Sequence, residues 1–75
     1  MSNESRCTIR IHVPEEFMGF CIRELTTVGG TIESLACPSP GKQTIAAEIP
    51  AESYASLVGK IRNYVGSDAV TFERG

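Results

Sequence analysis

The sequence predicts an α+β fold, a two-layer sandwich of order βαββαβ built as one domain. Three observations carry that prediction. Apolar residues alternate along residues 6–13 and 43–49, the period of a half-buried strand. They recur at helical spacing along residues 14–28 and 51–65, and a proline stands at each switch between the two periods, in Val13-Pro14 and Ile49-Pro50.

The first strand, Arg6 to Val13, points Cys7, Ile9, Ile11 and Val13 one way and Thr8, Arg10 and His12 the other. Pro14 suits a first helical position, where its missing N–H costs nothing, and Glu15 and Glu16 favour the positive end of the helix dipole. Phe17, Met18, Cys21, Ile22, Leu25 and Val28 then share an arc roughly 140° wide. Gly29 and Gly30 supply the left-handed backbone that closes this helix. Thr31 to Ala36 reads as a second strand with Ile32, Ser34 and Ala36 on one side and Thr31, Glu33 and Leu35 on the other. The cluster Cys37-Pro38-Ser39-Pro40-Gly41-Lys42 is too short for a helical crossover, so the flanking strands form an antiparallel hairpin.

Gln43 to Ile49 alternates again, with Ile45, Ala47 and Ile49 inward and Thr44, Ala46 and Glu48 outward. Tyr54, Leu57, Val58, Ile61, Tyr64 and Val65 form the inward arc of a second helix, and Ala69 to Glu73 makes a short last strand with Val70 and Phe72 inward. Right-handed crossovers put strands one and three in the centre and strands two and four at the edges. The expectation is a ferredoxin-like arrangement, a four-stranded antiparallel sheet with both helices on one face. The core spans about residues 7–73, and residues 1–5 are expected to be disordered.

A chain of 75 residues leaves room for one domain, and its small core gives a motive for oligomerising. The net charge is −2 and the seven cations are scattered, which argues against DNA binding and weakens RNA binding, since phosphate affinity needs a concentrated basic face. Cys7, Cys21 and Cys37 are spaced 14 and 16 apart, match no zinc pattern and read as free thiols in a reducing, cytoplasmic setting. No segment has the apolar length of a membrane span or the form of a signal peptide.

His12 is the single histidine and has only Arg10 as a same-face neighbour in sequence, so it reads as a surface residue without a nucleophile beside it. Glu33, Glu48 and Glu73 read as solvated or subunit-facing charges on that face. No catalytic, cofactor or metal site is expected, and the protein is not read as an enzyme. Copper chaperones, acylphosphatases and RNA-recognition modules share this element order. The corner Val13-Pro14-Glu15-Glu16 holds neither the paired cysteines of the first nor the arginine loop of the second. The outward positions Thr8, Arg10, His12, Thr44, Ala46 and Glu48 hold no stacking aromatic for the third.

The run Val13-Pro14-Glu15-Glu16-Phe17-Met18-Gly19 resembles the Pro-Glu-Glu-Tyr-Met-Gly signature of the C-terminal domain, domain V, of translation elongation factor G, also found in ribosomal protection proteins. The likeness continues through Leu25, Gly30, Ile32, Glu33, Pro50, Leu57, Ile61 and Arg62 and spans about residues 7–73. It implies a domain that packs on a GTPase domain and touches ribosomal RNA. The family's paired arginines are replaced here by Val28 and Gly29, and its basic loop after the second helix reads Val65-Gly66-Ser67-Asp68-Ala69. Both changes remove phosphate-binding charge. Phe20 stands on the outer surface of the first helix, where the family commonly has a polar residue.

The function expected is therefore a stand-alone, non-enzymatic interaction module that binds itself or a protein partner through the open sheet face or an edge strand. The alternative is a translation-associated RNA or ribosome binder. The candidate interaction surface is Arg10, His12, Phe20, Leu35, Lys42, Lys60 and Arg62.

Overall fold

A computed structural model describes residues 5–74. Its elements are β1 (Arg6–Pro14), a 3₁₀ turn (Glu15–Phe17), α1 (Met18–Thr27), β2 (Thr31–Ser39), β3 (Lys42–Pro50), a second 3₁₀ turn (Ala51–Ser53), α2 (Tyr54–Val65) and β4 (Thr71–Arg74). The sheet order is β2-β3-β1-β4 with every pairing antiparallel, so β1 and β3 are central as the crossover rule requires. The expectation for residues 1–4 lies outside the described residues. Ser5, included in that expectation, is tied down: its carbonyl accepts the Ala51 N–H at 2.8 Å.

Both prolines end strands instead of opening helices. Pro14 (φ −59°, ψ 144°) and Pro50 (φ −61°, ψ 132°) are extended, and a 3₁₀ turn follows each before the α-helix begins. Proline's fixed φ fits an extended residue as well as a helical one, and here the extended ψ turns the corner. The first N–H after each proline is anchored in the same way, Glu15 to the Gly41 carbonyl at 2.8 Å and Ala51 to Ser5.

Helix α1 closes with a Schellman motif, in which Gly29 N–H donates to Thr26 O at 3.0 Å and Gly30 N–H to Leu25 O at 2.8 Å. Of the two glycines only Gly29 is left-handed, at φ 82°. Gly30 is needed for space, because a Cβ there would lie 2.8 Å from Ile49 Cγ2 and 2.9 Å from Leu25 O.

Cys21 and Leu25 of α1 and Leu57 and Ile61 of α2 join Ile9, Ile11, Val13, Ile45, Ala47, Ile49 and Val70 in one buried cluster. The members from β1 and β3 are the alternate residues expected to face inward, cross-strand pairs Ile9–Ala47 and Ile11–Ile45 set them side by side, and Val70 joins from just before β4. Phe72 is half-buried and pairs with Ile11.

Strand β2 departs most from its expected form. It runs through Cys37 and Pro38 to Ser39, leaving only Pro40-Gly41 as the turn, with Gly41 at φ 81°. A proline followed by a left-handed glycine is the pattern of a type II turn. The register against β3 shifts twice. Ile32 pairs with Ala47 but Ser34 with Ala46, and Ala36 pairs with Thr44 but Ser39 with Lys42, so each shift inserts one residue. Paired residues of an antiparallel ladder point to the same side, so the first bulge exchanges the two sides of β2. Leu35 pairs with Ile45 and lies on the core side of the sheet, not on the polar face where unbroken alternation from Thr31 puts it. It is 49% exposed because it stands at the edge.

Candidate functional site

The polar face is built on β1, whose outward residues meet outward residues of both neighbours. His12 lies across from Thr44 on β3 and Thr71 on β4, and Arg10 across from Ala46 and Glu73. Sequence neighbours gave His12 only Arg10; the register adds three more partners. His12 Nδ1 is 3.0 Å from Thr44 Oγ1 in a hydrogen bond, and its Nε2 is 3.4 Å from Glu73 Oε2. The second distance exceeds a good hydrogen bond, and Nε2 is buried without a hydrogen-bonding partner. Arg10 Nη1 lies 3.9 Å from Glu73 Oε1, so a polar row Thr44–His12–Glu73–Arg10 crosses three strands. Thr44 and Glu73 belong with His12, and only pairing between distant segments places them there.

At one end of this row is a cavity of about 160 Å³, lined by His12, Thr44, Thr71, Lys42, Asp68 and Pro38 among others. Lys42 pairs with Pro14, two residues beyond His12, and so shares its side of the sheet. Its lining joins the β2–β3 hairpin to the segment that links α2 and β4.

The seven candidate residues do not converge. Arg10, His12 and Lys42 share the polar face. Phe20 is half-buried on α1 and stacked on Tyr64 of α2, with ring centroids 3.9 Å apart, so it is not the lone exposed aromatic expected. Tyr64, expected inward, is 61% exposed and forms the outer ring of that stack, with Phe17 edge-on at 5.9 Å. Lys60 shares a shallow hollow with Phe20, Asn63 and Tyr64, and its Nζ is 3.8 Å from Glu24 Oε1. Arg62 packs its guanidinium over the Phe72 ring at 5.5 Å. Leu35 stands apart on the core side of the edge strand.

Electrostatics elsewhere are local. Arg6 Nε lies 3.2 Å from Glu48 Oε1, while its Nη2 donates to Gly29 O at 3.1 Å and to Glu48 O at 3.3 Å. Burial, then the neighbouring Glu24 carboxylate, push the Cys21 thiol up to about 11. Cys7 is half-buried and Cys37 exposed, and all three thiols are free. Among the described residues no group of three metal-binding side chains is close enough to hold an ion, and no helix is long and apolar enough to cross a membrane.

No known family model matches the chain, and no curated protein matches it either.

Proposed function

We propose that this domain is a non-enzymatic interaction module that pairs with a second copy of itself through its polar sheet face. The observation that carries this reading is the mixed-sign row on that face. Arg10 and His12 stand on the central strand with Glu48 and Glu73 on its neighbours, so two copies related by a two-fold axis can extend the Arg10–Glu73 pair within each copy to the other's carboxylates, with the His12 ring as a hydrogen-bonding neighbour. Helix residues share the core with Ile9 and Ile45, and we take both helices to cover that opposite side, leaving the polar face for a partner.

Area supports the same choice. With ~4.8 Å between strands and ~3.3 Å per residue, the face offers roughly 500 Å² per copy, so a face-to-face pair buries on the order of 1,000 Å² in total, the lower bound for a specific interface. The edges are poorer candidates. Strand β2 carries two bulges and Pro38, which spoil continued pairing, and β4 has only four residues.

The resemblance to elongation factor G implies ribosomal RNA instead, but most cations already have partners. Arg6 and Arg10 face Glu48 and Glu73, Lys60 faces Glu24, and Arg62 and Arg74 lie over Phe72 and Tyr54. With a net charge of −2 and these cations held apart on β1, α2 and β4, no concentrated basic face forms to release counterions.

Sedimentation velocity over a wide concentration range tests the reading. A mass that doubles with concentration is expected, as is its loss in Ala46→Lys, which sets a bulky charge in the middle of the face. A monomer at every concentration, or a dimer untouched by that substitution, overturns it.

A further inference from the structure

We infer that the cavity at the end of the polar face is a binding site for a small zwitterion of the α-amino-acid type. The inference goes beyond self-association and does not depend on it. Lys42 and Asp68 both line this cavity, yet no contact within 4.0 Å joins them. Two opposite charges that share a hollow without pairing leave a gap that a molecule with both charges can span. A carboxylate fits against the Lys42 ammonium, and an ammonium against the Asp68 carboxylate. A ligand of single charge would satisfy one wall and leave the other charge facing it unpartnered, which is the costly arrangement.

Size narrows the class further. A cavity of about 160 Å³ lies well below the several hundred Å³ of pockets for drug-sized ligands and favours a ligand much smaller than a nucleotide. It has the bulk of roughly five waters, the size of a small amino acid. The remaining walls supply neutral donors and acceptors. Thr44 and Thr71 bring hydroxyls from β3 and β4, and Pro38 brings apolar surface from the hairpin. His12 positions this wall: its Nδ1 is bonded to the Thr44 hydroxyl at 3.0 Å, which fixes where that oxygen points.

The test is an NMR titration of the purified chain, at a concentration where sedimentation finds it monomeric, with L-alanine, acetate and methylammonium in parallel. Saturable shifts of the Lys42, Thr44, Asp68 and Thr71 amides are expected with alanine, with acetate and methylammonium binding about tenfold more weakly or worse. Asp68→Asn should weaken alanine about tenfold while leaving acetate no weaker, and Lys42→Gln should weaken both. Both residues are exposed, so the variants keep the fold, and the three-ligand comparison on the unaltered chain stands without them. No saturable shift at these residues overturns the inference. So does acetate binding as tightly as alanine, which marks a plain anion site, or alanine binding unchanged in Asp68→Asn. Because the titration is run on the monomer, failure here leaves the self-association reading standing, and failure of self-association leaves the titration unaffected.

Discussion

The Phe20 ring lies flat on the Tyr64 ring, planes 15° from parallel, and this stack is the aromatic contact between α1 and α2. With Phe17 edge-on to Tyr64 it forms a clasp across the two helices. Stacked pairs add about 0.5–1.5 kcal/mol beyond the area they bury. Phe20→Ala and Tyr64→Ala should each lower stability by about 1–2 kcal/mol in urea, with a coupling energy in that range in the double-mutant cycle. Additive losses would mean that the rings do not work together.

Glycines in this chain should respond to alanine with opposite signs. Gly19 lies within α1 with nothing within 4 Å of an added Cβ, so Gly19→Ala should stabilise by roughly 0.5–1 kcal/mol through helix propensity. Gly30→Ala must push on Ile49 Cγ2 and on the Leu25 and Glu48 carbonyls, and should cost ~2 kcal/mol or more. Shifts of the urea midpoint in opposite directions would establish the contrast.

Arg6 reaches from β1 to the Gly29 carbonyl just beyond α1 and to Glu48, with 29% of its side chain exposed. A planar fork is needed to serve the Gly29 and Glu48 carbonyls and the Glu48 carboxylate together. Arg6→Ala should cost about 1–2 kcal/mol, and Arg6→Lys should recover less than half of it. Full recovery with lysine would reduce the contact to bare charge.

The Cys21 thiol holds its proton more tightly in the folded chain than in the unfolded one, where it titrates near 9. Unfolding therefore releases a proton between pH 9 and 11, and the stability this thiol contributes is fully present below pH 9 and lost as pH rises toward 11. The stability difference between the natural chain and Cys21→Ala should shrink by on the order of 2 kcal/mol over that window. At neutral pH a thiol reagent should modify Cys37 first and Cys21 last.

Much of this architecture was legible because β1, β3 and both helices keep a single period from end to end. Ile9, Ile45, Leu25 and Ile61 all occupy the core positions that the period assigns them. Leu35 was misplaced because a bulge leaves no mark in composition: one inserted residue in β2 reverses the side chains that follow it as far as the second bulge. Tyr64 sits at the margin of its helical arc, where a few degrees decide between core and solvent. The polar row and the cavity were illegible for a different reason. Thr44, Asp68 and Glu73 meet the His12 neighbourhood only through pairings between segments more than thirty residues apart in sequence, and no local pattern encodes that register.

The sheet order also sets when the chain can fold. Strand β1 emerges first from synthesis, yet its two hydrogen-bonding neighbours are residues 42–50 and 71–74. The first half, β1 with α1 and β2, contains no pair of adjacent strands, since β2 borders β3 alone. It therefore has no sheet to assemble until β3 arrives, and β1 keeps one side unpaired until β4 follows. Folding waits on contacts of long sequence separation, the condition that makes a domain fold more slowly than a helical bundle of its size.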